Sequence, residues 1–262
     1  MSITIIIILI LSGVIVGFIN TLSAGGTTIT IALYLALGLP PRTTNAVNRV
    51  GVIIQNLFAT GMFAKKKMID VRKILPFAIF TMVGAFIGSL MAVKINEKVF
   101  SYCMGGVMLL MIYFVFKKKK QKEQEKPVTH KKYFLQIIVF LLAGFYGGFI
   151  QVGTGFLLIT ALTSFLAYDL VKTNANKVFI MFCYSFVALS VFFSRGGIDM
   201  KYWIYGLIHA CGNVIGSYIA AKFALKKGEN FVKIVILVVI ILTCLNLFDI
   251  INFKILFNKM LN

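Results

Sequence analysis

Carboxylates are scarce in this chain: eight Asp and Glu stand against 27 Lys and Arg, for a formal net charge of +19 over 262 residues. All eight acids fall between apolar runs or at their ends, so no buried carboxylate marks a sodium or proton site. The coupling ion therefore stays unassigned by sequence. There are four cysteines and two histidines. Cys103, Cys183, Cys211 and Cys244 lie inside apolar runs with no CxxC or Cys/His spacing, which argues against a zinc site or a disulfide framework and makes them small core residues. No metal and no cofactor is expected. Nothing resembles GxxxxGK[ST], the loop that cradles nucleotide phosphates.

What the chain has in excess is hydrocarbon. Apolar residues make up 60% of positions, and runs of about 18 or more recur along the whole length, more than a soluble core can hide. The basic residues sit in short stretches between these runs rather than on one continuous face. That is the signature of loops held on the cytoplasmic side of a membrane, not of a nucleic-acid surface. The sequence thus specifies an all-α, multi-pass protein whose solvent is the lipid bilayer, placed in the cytoplasmic membrane. A monomer or a homodimer fits it equally.

Apolar segments fall at 3–22, 27–39, 44–64, 74–93 and 98–116, then at 133–152, 155–167, 172–194, 202–223 and 231–248. The first has no basic n-region and is long for a signal peptide, so it is expected to be a retained segment. Between the two groups lies KKKKQKEQEKPVTHKK (Lys117 to Lys132), which reads as a solvated cytoplasmic linker. The expected organisation is a first membrane repeat at 1–116, the linker at 117–132 and a second membrane repeat at 133–262. A shift of 128 aligns GAFIGSLMAVK (Gly84 to Lys94) with GNVIGSYIAAK (Gly212 to Lys222) at six of eleven positions. It also pairs Gly25 with Gly153 and Asn48-Arg49-Val50 with Asn176-Lys177-Val178.

Parity decides how the halves relate. Three segments per half are long enough to cross at ~1.5 Å per residue, while the short run at 27–39 and its predecessor, joined by the helix-breaking SAGGTT turn, together contribute an even number. An odd total predicts inverted repeats. Equivalent loops should then differ in basic content, and KKKMIDVRK (Lys65 to Lys73) carries five positive residues where SRGGIDMK (Ser194 to Lys201) carries two.

Two basic residues fall inside segments, Arg49 and Lys177, and they are repeat-mates. A lone intramembrane cation costs ~2.5 to 3.5 kcal/mol on insertion scales, so a symmetric pair needs a reason. Either both snorkel to headgroups or both face an internal cavity and bind an anion. Asn45, Asn48, Arg49 and Asn56 share one helical face, and Thr173, Asn176, Lys177 and Tyr184 repeat it. The other feature is the pair of Gly-rich breaks, Ser23, Gly25, Gly26 and Thr27 in one half and Gln151, Gly153, Thr154 and Gly155 in the other. Short helices starting there aim backbone N–H groups and a positive dipole end at the break, which suits an anion near the midplane. Gly84xxxGly88 and Gly212xxxGly216 fit close helix packing. His209 is placed within a segment and is either a proton relay or a hydrogen-bonded core residue.

The stretch GFINTLSAGGTTITIALYLALGLPPRTTNAVNRVGV, the Ile-Asp after a basic loop, the GxxIGS segment and the weaker second copy resemble the TauE/SafE-type permeases, the 4-toluene sulfonate uptake permease family. The resemblance covers nearly the whole chain and implies transport of sulfite, organosulfonates or related sulfur compounds. Where many relatives carry a proline after the glycine pair, this chain has Ile31 and Ala32. The resulting expectation is a secondary transporter of a small sulfur-containing anion working by alternating access. An anion channel is the alternative, and a membrane-embedded enzyme a weaker one, since no convergent acid, base or metal groups accompany His209.

The topology is checked by single cysteines in a cysteine-free variant. Positions 2 and 262 should react with an impermeant reagent from outside the cell and position 123 should be protected; cytoplasmic termini would refute the five-plus-five arrangement.

Overall fold

A computed structural model describes residues 1–22, 25–116, 130–166, 168, 170–222, 241, 245 and 250. Every element among them is a helix: α1 Ile3–Leu22, α2 Thr27–Ala36, α3 Pro41–Lys65, α4 Val71–Lys94, α5 Glu97–Phe116, α6 His130–Phe149, α7 Thr154–Leu166, α8 Leu170–Arg195 and α9 Met200–Lys222. Each corresponds to one of the first nine apolar segments. Ser23, residues 117–129 of the linker and the tenth segment at 231–248, apart from residues 241 and 245, lie outside the described residues.

Long apolar runs become helices because a backbone in lipid must satisfy its own polar groups. Ile3–Thr21, Val71–Lys94 and Val171–Arg195 are each long and apolar enough to cross a bilayer. Exposed Ile7, Leu11 and Ile15 on α1 and Ile79, Val83 and Phe86 on α4 face outward, as lipid-facing residues do. The interior is polar by comparison, with Asn45, Asn48, Gln55, Gln151, Asn176 and Asn213 all buried.

Close packing rests on four GxxxG pairs. Gly84 and Gly88 of α4 lie against the backbone of Leu141, Phe145 and Phe149 of α6, while Gly144 and Gly148 of α6 lie against Thr81 and Ala85 of α4. Likewise Gly212 and Gly216 of α9 meet Ile10, Val14 and Phe18 of α1, and Gly13 and Gly17 of α1 meet His209 and Asn213. A side chain at any of these positions would overlap the facing backbone. The sequence pattern identifies the α4 and α9 glycines as packing residues; their partners on α1 and α6 share the same spacing.

The rising order of these contacts makes α1 parallel to α9 and α4 parallel to α6. Val47 and Gly51 of α3 lie against Gly206 and Asn213, so α3 also runs with α9. At the start of α3, Arg42 donates to the carbonyls of Val93 and Ile95 and pairs with Glu97 at 3.3 Å, which sets α4 antiparallel to α3. The packing interchanges between halves: α1 sits on α9 as α6 sits on α4, α3 sits on α9 as α8 sits on α4, and α3 meets α8.

Gly216→Leu should separate α9 from α1 and lower the stability of the detergent-solubilised protein by ~3 kcal/mol or more. Gly106→Ala, where no atom lies within 4 Å of an added methyl, should leave it within ~0.5 kcal/mol. Heating followed by size exclusion reads both; equal behaviour would refute the packing role.

Candidate functional site

The site is built from helix ends that stop inside the protein. The chain turns at Gly25 (φ 100°) between α1 and α2, and at Gly153 (φ 75°) between α6 and α7, both in the left-handed region that glycine alone adopts at no steric cost. Each break leaves a buried helix C-terminus, where the last four carbonyls have no partner within the helix.

At the end of α6 all four are accounted for. Tyr146 O accepts from the Ile150 N–H at 2.7 Å, closing the last turn. Gly147 O and Gly148 O accept from the two terminal nitrogens of Arg49 at 2.9 and 2.7 Å. Phe149 O accepts from Asn45 Nδ2 at 3.0 Å. The Arg49 guanidinium also stacks over Phe192, 4.9 Å from its ring centre. A full cation on the negative end of a helix dipole gains from both charge and hydrogen bonding.

The equivalent position in the other half repeats the arrangement. Lys177 Nζ donates to Asn20 O in the last turn of α1 at 3.1 Å and to Asn174 Oδ1 at 3.2 Å. Each intramembrane cation of one half thus binds the interrupted helix of the other. Arg49 is 0% exposed and Lys177 1%, so both are enclosed by protein rather than snorkelling to headgroups. Counted along their helices, they lie ~12 Å and ~10 Å from the starts of α3 and α8.

Between the breaks is a cavity lined by Gly25 and Thr27 from one side, Gln151, Gly153 and Gly155 from the other, and Lys177. Asn20, Gln55 and Asn56 complete its polar wall. The volume open to water centres is about 10 Å³, room for about one water. Gln151 organises one wall: its Oε1 accepts from Asn48 Nδ2 at 3.0 Å, its Nε2 donates to Ser185 at 3.1 Å, and its N–H donates to Asn45 Oδ1 at 3.1 Å. Thr154 at the start of α7 donates to Gln151 O at 2.9 Å. Tyr184 is buried, its ring lies beside Gly147 with Thr154, and its hydroxyl has no hydrogen-bond partner among the described residues. Gly26, at the start of α2, packs against the Asn20 side chain.

Of the residues singled out by sequence, Gly25, Thr27, Asn56, Gln151, Gly153, Gly155 and Lys177 line the cavity, and Asn48 and Thr154 bond Gln151. Arg49, Asn45, Asn176 and His209 do not line it. Arg49 and Asn45 hold the α6 end just outside the cavity. Asn176 instead accepts the Asp70 N–H at 3.0 Å, in a cluster where Tyr168 donates to Asp70 Oδ2 at 3.3 Å and Lys172 stands 3.9 Å from the same oxygen. Burial, and then the Asp70 charge, pushes the Tyr168 hydroxyl up, so it remains a donor. This cluster ties α4 of one half to α8 of the other. The equivalent acid, Asp199, instead bonds Lys201 at 2.9 Å, whose ammonium holds the carboxyl below its usual range. His209 lies apart on α9, against α1 and α3. Sequence reasoning missed Asn20, Gln55 and Ser185; Gln55 and Ser185 lie on the same polar helices as Asn48 and Lys177 and were legible as buried polar positions. Among the described residues no three His, Cys, Asp or Glu side chains gather to hold a metal.

Comparison with known proteins gives a consistent result. The family described as Sulfite exporter TauE/SafE matches residues 9–247. A probable membrane transporter protein, ORF9, from Sinorhizobium sp is 25% identical over 239 residues, covering 91% of this chain and 90% of that one. A probable membrane transporter protein from Haemophilus influenzae is 26% identical over 228 residues, covering 86% and 88%. The probable membrane transporter protein YfcA of Escherichia coli K12 is 22% identical over 230 residues, covering 85% and 82%. No solved structure matches. A multi-pass helical protein matched along almost its whole length, this chain belongs to the TauE/SafE family of membrane transporters.

Proposed function

We propose that this protein is a secondary transporter that moves a small sulfur-containing anion, such as sulfite, thiosulfate or an organosulfonate, across the cytoplasmic membrane by alternating access. The observation that carries the reading is the cavity shared by both glycine breaks and Lys177. Two helix N-termini, bare glycine backbone and one ammonium converge on it, the chemistry that recognises an oxyanion. The sulfur class rests on the family description.

Alternating access has two supports. The cavity has room for about one water, so an anion of this size enters only after the halves move, which favours a transporter over an open channel. The Asp70, Tyr168 and Lys172 cluster bridges the halves at one end, whereas Asp199 pairs with Lys201 at the start of α9, in its own half, at the other. A latch of this kind holds one side shut while the other is free to part. The halves are inverted repeats in this reading: α1 and α6, their first helices, run in opposite directions because α1 follows α3 and α6 follows α4. Residues 117–132 join them as a cytoplasmic linker.

The two cations divide the work. Lys177 compensates substrate charge, and Arg49 holds the α6 end in place. Isothermal titration of purified protein with sulfite, thiosulfate, sulfoacetate, taurine and sulfate identifies the best anion. Against that anion Lys177→Gln should lose ~2 to 5 kcal/mol of binding, the scale for truncating one partner of a shielded charge pair. Arg49→Gln leaves two buried carbonyls without their donors and should cost ~2 to 5 kcal/mol of stability, with Arg49→Lys intermediate because the planar fork is lost. Gly25→Leu and Gly153→Leu should abolish uptake into proteoliposomes. Unchanged affinity in Lys177→Gln would remove the anion site.

A further inference from the structure

The cavity wall continues into a second polar feature that the anion site does not use. Gln55 Nε2 donates to Thr21 at 3.4 Å, and the Thr21 hydroxyl pairs with Ser217. Ser217, Asn213 and His209 follow at four-residue spacing along α9, on the face that packs against α1 and α3. All are buried, Gln55, Asn213 and His209 at 1% exposure. Yet Gln55 Oε1, Asn213 Oδ1 and both ring nitrogens of His209 have no hydrogen-bond partner among the described residues. Protein interiors pair such atoms with protein or with ordered water, so a row of unpaired ones marks a place where bridging water belongs. Gly51 of α3 brings its backbone against the row: a methyl there would sit 2.6 Å from Asn213 Nδ2 and 3.4 Å from His209 Nδ1.

The other half lacks the feature. At the positions equivalent to His209, Asn213 and Ser217, α4 has Thr81, Ala85 and Ser89. Thr81 donates back to Phe77 O at 2.7 Å and Ser89 to Phe86 O at 2.9 Å, so both hydroxyls are satisfied within their own helix. At these three equivalent positions the same packing geometry is built without an unpaired polar atom on α4 and with them on α9. The repeat architecture therefore does not require the seam.

We propose that the seam between α1, α3 and α9 is a hydrated proton path leading from the cavity to His209, and that His209 is the proton-binding group that couples anion movement to a pH gradient. The inference rests on the anion-transport reading above. Imidazole is the one side chain whose ordinary titration falls between about pH 5 and 8, and the sequence places no carboxylate inside a membrane segment to do the work instead. The groups facing His209 are Tyr34 of α2, edge-on with ring centres 5.7 Å apart, and Tyr205 on its own helix, whose carbonyl accepts the Tyr34 hydroxyl at 3.3 Å. From α1 and α3 it meets Gly13 and Gly51. No described charge of either sign stands against it to fix its protonation state. One proton passes from cavity water to an imidazole nitrogen as a monovalent anion enters and leaves on the far side with it, so the step moves no net charge.

Two measurements on the full chain test this. The sequence has two histidines, so in a His130→Gln background the imidazole nitrogens of His209 give an isolated NMR signal. It should titrate between about pH 5 and 8; a ring that stays neutral throughout would overturn the proposal, whatever the substrate proves to be. In proteoliposomes, labelled ethanesulfonate, which keeps its charge across that range, is followed in two modes. His209→Gln should exchange it in counterflow at equal pH within about twofold of the unmodified protein. It should lose at least about tenfold of the accumulation driven by a pH gradient. Retained accumulation in the variant, or loss of counterflow by a variant that still elutes as the native species, would overturn the coupling role. Counterflow by the unmodified protein without gradient-driven accumulation would overturn the proton and leave the anion reading standing. Absence of counterflow in the unmodified protein would refute the anion reading, and with it the coupling role.

Discussion

A helix that stops inside a water-poor interior exposes carbonyls that nothing in its own chain segment can satisfy, and the rest of this protein is arranged around that difficulty. In water the last turn would be solvated at little cost. Here the end of α6 is capped by Arg49 and Asn45 of α3, and the Asn20 carbonyl of α1 by Lys177 of α8. Because each capping residue comes from the opposite half, neither half can complete its interrupted helix alone. The cost of an intramembrane cation is offset by the helix end it neutralises. The buried cations and the buried helix ends are each other's solution.

The glycines make that exchange possible. Side chains of ordinary size would hold α6 away from α4 and α1 away from α9, and the breaks would then fall out of reach of α3 and α8. With backbones in contact, the interrupted pairs α1–α2 and α6–α7 lie close enough for single side chains to bridge the halves. The cavity is the remainder: what is left between two breaks after their C-terminal ends have been capped, lined by the helix starts and by the one cation that also faces inward. Its polarity follows from the same accounting, since Gln151, Asn48 and Asn45 are bound to one another before any solute arrives.

The two sets of helices share a packing plan and differ in detail. Asn48 braces Gln151 at the cavity, while its mate Asn176 accepts from the Asp70 backbone. Asp70 reaches across to the other half, and its mate Asp199 does not. Asn213 replaces Ala85 and His209 replaces Thr81.

The sequence by itself determined the class of solvent, the described helices to within about three residues at each end, the glycines at the two turns and the polar stripe carrying Arg49 and Lys177. These are local properties: hydropathy, spacing and glycine's freedom of φ act over a few residues and are readable from one strand of text. What the stripe is for was decided by tertiary structure. Arg49 reads in sequence as a cation awaiting an anion, and it spends its donors on carbonyls 98 and 99 residues away. Asn176 reads as a cavity residue and serves a cluster at the end of α4. The role of Gly13, Gly17, Gly144 and Gly148 emerges only once α1 is set against α9 and α6 against α4. A hydrogen bond's partner depends on which backbone is brought near, and that is set by packing across the whole chain rather than by the residue that donates.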